Sequence, residues 1–541
     1  MASSANDIFW RSVTDNTCET YDECKTYHEP SQKLAKSSPE YRTSVRSHAR
    51  LAYAVLALLL SIARPYLLLV LPAINFDLVL AIASFRVGIF ASPSVMSYLL
   101  LLLWHMYCLC PQHSPRTDGA LGSAPHGAAV PIGWTFDHSN PLLMRLHAAL
   151  LPIFNYEAQA TPWILGTNGD AVTLLPFLLF NPPRHSYTRR WLRVPRADGP
   201  NEPKDLTGCS GNDKEETEAV AVDILTPKTG FDPARPVIVL LAGLTGGSNE
   251  GYVRDMVQEA VHVRGMTAAV LIARGTNQTP CSSNSVFHGA RISDFAAFVS
   301  LMRKAALSPH ETSSKVFSRP KVYSAGVSMG GIILPNYLSK AGQSTLLDGA
   351  VVLSGSLRTS VTSHFWHSRY LWQPLLTKDL KDQFVAPQPS LLTERGCDVM
   401  AIGDSCDLTD FDARMVATYH GYRDIHHYYD DMSAASADGK YNTKKGDCEE
   451  RLNNICVPTL VLHALDDPII HADSIPIDTL VSPRNVTRSN LMVLMTQTGG
   501  HIGWPTGWFP WDSGFQFSTT LTLNFIETLH NDNNEIFSGN T

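Results

Sequence analysis

This 541-residue sequence has no excess of basic residues, no cysteine pattern typical of a metal site and no apolar N-terminus. The net charge of −7 argues against a general nucleic-acid-binding protein, because such proteins present a basic face. Ten cysteines are too few for a disulfide scaffold, and no CxxC or Cys/His cluster has the spacing of a zinc site. Cys397 and Cys406 are a candidate pair in an oxidising lumen, but we expect free thiols. No metal or organic cofactor is implied.

The first 50 residues are polar and charged, so they do not resemble a cleaved signal peptide. A long apolar block follows them. Its stretch from Val87 to Cys110 has 24 residues without Asp, Glu, Lys or Arg, enough for a helix across roughly 30 Å of hydrocarbon. A second candidate span, residues 51–73, is interrupted by Arg64 and Pro65. The block predicts a membrane anchor of one or two helices at residues 51–112. A buried helical hairpin in a soluble protein is the alternative.

The charges around this block predict its orientation. Five Lys or Arg residues lie between residues 33 and 50, whereas Arg116 is the only one soon after the block. The first 50 residues are therefore expected to be a cytosolic tail. The membrane itself is expected to be the endoplasmic reticulum or another endomembrane. With one span the domain that follows is lumenal, and the sequons at Asn277 and Asn485 are glycosylated; with two spans it is cytosolic. Cys108 and Cys110 are candidate palmitoylation sites or plain structural residues.

The sequence changes character at about residue 218, after a linker and N-terminal extension at residues 113–217. Short apolar runs begin to alternate with helical patterns, and most runs are continuous, as in strands buried on both faces. The runs predict strands at residues 220–225, 236–242, 267–273, 321–325, 349–354, 457–464 and 491–496. The helical patterns include residues 252–264, 292–306, 330–340 and 517–530.

This alternation predicts an α/β domain at residues 218–535, with a mostly parallel sheet covered by helices. Residues 357–435 interrupt the alternation and are rich in His, Tyr, Trp and Asp. An insertion at this point lies over the carboxyl ends of the strands, where open α/β sheets bind their ligands. We therefore predict a cap at about residues 357–435.

A G-x-S-x-G pattern, Gly326-Val327-Ser328-Met329-Gly330, follows one of the predicted strands and opens a helical pattern. Such a strand–serine–helix turn holds the serine in a strained elbow with its hydroxyl exposed. The two glycines are needed because a Cβ at either position would collide with the neighbouring strand and helix. The helix N-terminus behind Ser328 favours a developing negative charge. Pro335 is expected to disturb this helix about two turns in. A structural turn serine is the alternative interpretation.

A serine hydroxyl needs a base to become a nucleophile, and the chain order that accompanies this motif is Ser, acid, His. His501 follows the predicted strand 491–496 directly, and it is the candidate base that takes the serine proton and returns it to the leaving group. Asp466 and Asp467 both follow the strand 457–464. We choose Asp467 because its Asp-Pro-Ile-Ile context resembles a common acid loop. Asp466 is then a loop cap or a supporting group.

Stabilisation of a tetrahedral intermediate requires two backbone N–H groups aimed at its oxygen. Met329, directly after the serine, is expected to supply one. The other is expected from Leu244, in the glycine-rich loop Gly243-Leu244-Thr245-Gly246-Gly247. The same loop can be interpreted as a phosphate-binding turn, but it has no lysine at P-loop spacing, which argues against nucleotide binding.

Several loops in order resemble the YheT-like branch of the α/β-hydrolases, which includes animal membrane-anchored abhydrolase-domain lipases and yeast medium-chain ester synthase/esterases. The resemblance covers most of residues 161–530. Its motifs are Leu241-Ala242-Gly243-Leu244-Thr245-Gly246, Ala273-Arg274-Gly275, Ala325 to Gly331 around the serine, Phe411-Asp412, the stretch from Gly421-Tyr422 to Tyr428-Tyr429, Asp466-Asp467-Pro468 and Gly499-Gly500-His501-Ile502-Gly503. One departure is Gly169-Asp170-Ala171-Val172-Thr173, where the family usually has Gly-His-x-Gln-Thr; the loops at 197–218 and 436–450 also look longer than usual. These changes put substrate choice in doubt rather than the triad.

The resemblance implies a membrane-associated serine esterase or lipase acting on an acylglycerol, a phospholipid or a medium-chain acyl ester. An acyltransferase that uses the same three residues is the first alternative, because an alcohol can replace water in resolving the acyl-enzyme. A non-catalytic lipid-binding module is the second, and an intact Ser/Asp/His set argues against it. The sequence leaves the oligomeric state open.

Overall fold

The computed structural model describes residues 4–20, 132–151, 156, 169–195, 217–277, 279, 288–311, 320–362, 365–435, 451–477, 490–507 and 513–538. These residues belong to one unit, built on a nine-stranded sheet with the strand order β1-β9-β8-β7-β6-β4-β5-β3-β2. The strands are β1 Gly133–Phe136, β2 Thr188–Pro195, β3 Thr217–Leu225, β4 Val237–Leu241, β5 Thr267–Ile272, β6 Val322–Val327, β7 Gly349–Leu353, β8 Thr459–Ala464 and β9 Leu491–Thr496.

The six strands from β5 through β4, β6, β7 and β8 to β9 pair in parallel, so the predicted mostly parallel sheet is confirmed. The pairs β1–β9, β3–β5 and β2–β3 are antiparallel. Every residue of β4, β6, β7, β8 and β9 is buried, which is why these strands are continuous apolar runs in the sequence. All seven predicted strands are present.

Two strands were not predicted, and both lie before residue 218. Strand β2 contains Arg189, Arg190 and Arg193, and β1 has only four residues, so neither has the apolar pattern of a central strand. Arg189 pairs with Asp223 on the neighbouring β3, with its Nε 2.7 Å from the carboxylate. The segment assigned as linker and extension therefore contributes both edges of the sheet.

Helices cover both faces of the sheet, and alternate side chains of each strand enter one of two buried apolar clusters. Helices α1, α5 and α6 pack on one face, and α2, α4 and α14 pack on the other. The described α-helices are α1 Ala5–Asp15, α2 Pro141–Leu150, α3 Gly169–Leu179, α4 Gly251–Val257, α5 Ser293–Glu311, α6 Gly330–Ala341, α7 Thr359–Thr362, α8 Gln373–Leu380, α9 Pro389–Glu394, α10 Val399–Gly403, α11 Leu408–Phe411, α12 Thr418–His420, α13 Ile425–Asp431 and α14 Gln516–Ser538. Short π-helical segments occur at Gln258–Val263, Ser368–Trp372, Lys381–Val385 and Asp412–Ala417, and short 3-10 helices occur at Gly342–Ser344 and Ala472–Ser474.

Helix α1 lies within the segment predicted as a polar tail, and it packs on the sheet domain. Ser4 and Asp7 form a capping box at its start, which satisfies two backbone N–H groups. Phe9 and Val13 are fully buried, and the ring of Phe9 stacks on Phe231 with centroids 4.3 Å apart. These residues therefore form part of the core of the domain.

The described residues between β7 and β8 are mostly helical, where a cap was predicted. It contains α7 to α13 and has an apolar cluster of its own that includes Phe384, Phe411 and Tyr428. Leu244 and Met329, the two residues expected to hold the oxyanion, pack against this cluster. The cap therefore lies against the loops that follow β4 and β6.

Pro335 does not end the helix that follows Ser328. Helix α6 runs without interruption from Gly330 to Ala341 and contains Pro335. Because proline has no backbone N–H, the carbonyl of Gly331, four residues earlier, lacks its usual helical hydrogen bond. That carbonyl lies against Gly355, where an added Cβ would be 2.2 Å from its oxygen.

No helix among the described residues is long and apolar enough to span a membrane. The predicted anchor at residues 51–112, with its candidate spans and Cys108 and Cys110, lies outside the described residues.

Candidate active site

Ser328 lies in the turn between β6 and α6, with its backbone in the left-handed region at a φ of +54°. A non-glycine residue in this conformation is uncommon and costs free energy. The neighbouring chain holds it in place: an added Cβ at Gly326 would lie 2.3 Å from the carbonyl oxygen of Gly330, and one at Gly330 would lie 2.4 Å from that of Leu241. The two glycines are therefore required for the reason that the sequence predicted, and the serine is partly exposed.

The side chains of Ser328, His501 and Asp467 form one hydrogen-bonded chain. His501 Nε2 lies 2.8 Å from Ser328 Oγ, and His501 Nδ1 lies 2.8 Å from Asp467 Oδ2. Because a carboxylate only accepts hydrogen bonds, Nδ1 carries the proton and Nε2 accepts from the serine. His501 and Asp467 are 4% and 3% exposed, so water competes little for these contacts. Parallel strands explain the convergence, since the carboxyl ends of β6, β8 and β9 all lie at the same end of the sheet.

Asp467 is fixed by the turn that it begins. Its Oδ1 accepts the backbone N–H groups of Ile469 and Ile470, both at 2.9 Å. The other oxygen remains for His501. This carboxylate can therefore orient the imidazole without rotating.

The loop that carries His501 is held at three consecutive backbone N–H groups by side chains from three separate parts of the chain. Gly500 N–H donates to Asp466 Oδ1 at 2.8 Å, His501 N–H donates to Thr173 Oγ1 at 2.7 Å, and Ile502 N–H donates to Ser354 Oγ at 2.9 Å. This supports Ile502, whose φ is +68°. The histidine is thereby positioned from behind as well as through its ring.

Asp466 and the imidazole of His501, both among the described residues, share no hydrogen bond, and Asp466 has an unusual environment. Its Oδ2 is buried and has no hydrogen-bond partner among the described residues. Burial raises the pKa of Asp466 to about 7, and the nearby charges of Asp467 and Asp170 act in the same direction. The structure thus separates the two neighbouring acids: Asp467 faces His501, and Asp466 supports the loop.

The loop after β4 lies directly against Ser328, because an added Cβ at Gly243 would be 3.2 Å from the serine Cβ. The hydroxyl of Tyr252 accepts Gly243 N–H at 2.8 Å, and burial raises the pKa of this tyrosine, so it stays protonated. Within the described part of the chain, the N–H groups of Leu244 and Met329 donate to no protein acceptor. Both are therefore available to an oxygen held beside Ser328.

The cap reaches the site through side-chain contacts on two sides. The hydroxyl of Thr245, in the loop after β4, hydrogen-bonds to Asp379 of α8. On the other side, Asp170 of α3 accepts hydrogen bonds from Trp372 Nε1 at 2.7 Å and from His367 Nε2 at 2.9 Å. The cap segment from residue 366 to 380 thus connects the loop beside the serine with the helix that supports the histidine.

Sequence reasoning missed Thr173, Ser354 and Asp170 as parts of the site. The only signal was the departure from the family pattern at residues 169–173, which was interpreted as affecting substrate choice. In the structure, this segment packs behind the histidine loop: an added Cβ at Gly500 would lie 2.6 Å from the carbonyl oxygen of Gly169.

Two other expectations concern cysteines and sequons. Cys397 and Cys406 are both free, so the expected free thiols are confirmed. The side chain of Asn277 packs against Gly247, and its Oδ1 accepts from Asn249 Nδ2 at 3.2 Å. Asn485 lies outside the described residues.

Comparison with known proteins finds relatives that match half or more of the chain. The chain is 28% identical over 314 residues to a monoacylglycerol lipase of Saccharomyces cerevisiae, which covers 57% of this chain and 62% of that protein. It is 28% identical over 362 residues to the phospholipase ABHD3 of Mus musculus, covering 66% and 76% of the two chains. It is 26% identical over 278 residues to YheT of Escherichia coli, covering 50% and 72%. The chain therefore spans about three-fifths of the length of the yeast relative.

No family model matches the chain. Among solved structures, Est1E from Butyrivibrio proteoclasticus with bound ferulic acid covers 57% of this chain and 96% of that one, at 14% identity and a TM-score of 0.32. A likeness of that size supports no argument about function. The sequence relatives support assignment of the chain to the YheT-like branch of the α/β-hydrolase superfamily.

Proposed function

We propose that this chain is a membrane-anchored serine hydrolase that cleaves carboxylic esters of lipids through Ser328, His501 and Asp467. The observation that carries the proposal is the chain of two 2.8 Å hydrogen bonds that joins these side chains, with the serine at the tip of a strained turn. The two relatives named as lipase and phospholipase support an ester as substrate. Acylglycerols, phospholipids and medium-chain acyl esters are the candidate classes.

The geometry suits acylation of the serine. Ser328 Oγ attacks the ester carbonyl while its proton moves to His501 Nε2, and the carboxylate of Asp467 stabilises the imidazolium that forms. The N–H groups of Leu244 and Met329 lie in the two loops beside the serine and would hold the oxyanion. Collapse of the tetrahedral intermediate transfers the proton from Nε2 to the departing alcohol and leaves an acyl-enzyme.

The same residues complete the cycle. Nε2 takes a proton from water as the water oxygen attacks the acyl carbonyl, and Ser328 leaves with that proton as the carboxylic acid is released. An alcohol in place of water gives a transesterified product. The anchor at residues 51–112 would place the domain at the lipid surface, where its substrates are concentrated.

The test is active-site labelling of the full chain with a fluorophosphonate probe, followed by ester hydrolysis. We expect labelling of the wild type, its loss in Ser328→Ala, and its retention in the matched control Ser344→Ala, an exposed serine just beyond the same helix. Absence of wild-type labelling, or its retention in Ser328→Ala, would contradict the proposal. The ratio of acid to transesterified product, with and without added alcohol, then separates hydrolase from transferase activity.

A further inference from the structure

Helix α3 contacts two parts of the site through two side chains that lie nearly one turn apart. Thr173 accepts the backbone N–H of His501 at 2.7 Å. Asp170 faces the cap, where its carboxylate accepts Trp372 Nε1–H at 2.7 Å and lies 2.9 Å from His367 Nε2. Because both side chains belong to one helix and lie three positions apart, a displacement of that helix moves both. This helix is a short mechanical link between the cap and the histidine loop.

The environment of Asp170 makes its contacts with the cap important. The residue is 7% exposed, and the hydrogen bonds of its carboxylate to described side chains both come from the cap. The carboxyl of Asp466, which holds Gly500, lies close enough for the charge of Asp170 to act on it. If the cap withdrew, a buried carboxylate would lose its donors beside a second acid, an arrangement that is costly. Moving α3 toward solvent relieves that cost and takes Thr173 away from His501.

We propose that Asp170 is a positioning residue that couples docking of the cap to the orientation of His501. With the cap docked, Trp372 and His367 hold Asp170, and Thr173 of the same helix holds the backbone of the base. With the cap withdrawn, the base loses its alignment with Ser328. Hydrolysis is thereby restricted to the state in which the cap covers the acyl group. This inference rests on the proposed role of His501 as the catalytic base.

The test changes one residue of the cap and one residue of α3, and it measures hydrogen exchange at the backbone N–H of His501. Trp372→Phe removes the indole N–H from the cap, and Asp170→Ala removes the acceptor from α3. We expect both to increase hydrogen exchange at the backbone N–H of His501 about tenfold, the effect of weakening one buried hydrogen bond. Asp170→Asn keeps an acceptor for the indole and should restore most of the protection. Asp382→Asn is the matched control, because its side chain is 60% exposed and pairs with Lys378 on the outer side of the same cap region.

The kinetic arm separates positioning from a purely structural role. With a small soluble ester, Asp170→Ala and Trp372→Phe should each lower kcat about tenfold or more with little change in KM, because a displaced base slows the chemical step. The double variant should lose no more than either single variant, since both break one link.

Exchange at His501 that stays unchanged in Trp372→Phe, while exchange in the cap rises, would overturn the coupling. That measurement needs no turnover, so it judges the coupling even if the wild type proves inactive. If the wild type is inactive but hydrogen exchange at His501 still rises in Trp372→Phe, the proposed function is contradicted and the coupling is not.

Discussion

Asp466 accepts the backbone N–H of Gly500 at 2.8 Å, while the next residue along the chain holds the imidazole of His501. Two adjacent acids thus support one histidine in different ways, one through the backbone and one through the ring. Sequence context favoured Asp467 for the ring without excluding its neighbour. The first prediction separates their roles.

Asp467→Asn should lower kcat by about four orders of magnitude, because a carboxamide does not fix the imidazole tautomer or stabilise its cation. Asp466→Asn should keep kcat within about tenfold of the wild type, since the carboxamide oxygen still accepts Gly500 N–H. Hydrolysis of a soluble ester by the two purified variants measures both values. The reverse order of effects would assign the catalytic acid to position 466.

The second prediction concerns stability and pH. Burial raises the pKa of Asp466 to about 7 in the folded protein, above the value of about 3.9 in an unfolded chain. The folded state therefore binds the proton more tightly, and the contribution of this residue to stability is present below pH 4 and is lost as the pH rises toward 7.

Asp466→Asn removes this titration. The free energy of unfolding of the variant minus that of the wild type should therefore rise between about pH 4 and pH 7 and level off above it. Chemical denaturation at a series of pH values measures the difference, and the raised pKa values of Asp255 and Asp412 contribute equally to both proteins. A difference that does not vary with pH would contradict the raised pKa.

The third prediction tests the turn around the serine. Gly330→Ala places a Cβ 2.4 Å from the carbonyl oxygen of Leu241, so strand and helix must separate. We expect a loss of about 1–3 kcal/mol in the free energy of unfolding, in the range of overpacked sites. Gly403→Ala is the control: it is also helical, has no atom within 4 Å of the added Cβ, and should stabilise by about 0.5–1 kcal/mol. Equal effects of the two substitutions would show that the close approach has no cost.

The parts of the site that were predictable from sequence are those that strands bring together. Ser328, Asp467 and His501 each follow a continuous apolar run. The parallel arrangement puts the loops after these runs at one end of the sheet, where the strands finish. Thr173 and Ser354 have no such signal, because each acts on a backbone N–H more than a hundred residues away through a side chain common in any helix or loop. Strand β2 was missed because its arginines are neutralised by partners elsewhere, such as Asp223, which a local pattern does not contain. The carbonyl of Gly331, which Pro335 leaves without its helical hydrogen bond, lies against Gly355, again a distant residue.

The last prediction concerns the side of the membrane on which the domain lies. Helix α1 precedes the predicted anchor, and the sheet domain follows it, yet the two pack together. Besides the stacked rings of Phe9 and Phe231, Cys18 and Trp191 exchange two backbone hydrogen bonds of 2.8 and 3.0 Å. Since two segments in contact cannot lie on opposite sides of a bilayer, an anchor at residues 51–112 that enters the membrane must return to the side it left.

Of the two topologies left open by the sequence, this packing favours two spans, and the positive charges before the anchor then predict that both the N-terminus and the domain lie in the cytosol. Tags at the two termini of the full chain should both be digested by protease in sealed microsomes, and Asn277 should stay unglycosylated. A single span would instead protect the C-terminal tag while the N-terminal tag is cleaved, and that result would mean that α1 does not dock in the cell. The substitution Phe9→Asp provides the control, because a charge in place of a fully buried ring should undock α1. We expect it to lower the stability of the domain. If two spans fix the topology, the same tags should still be cleaved.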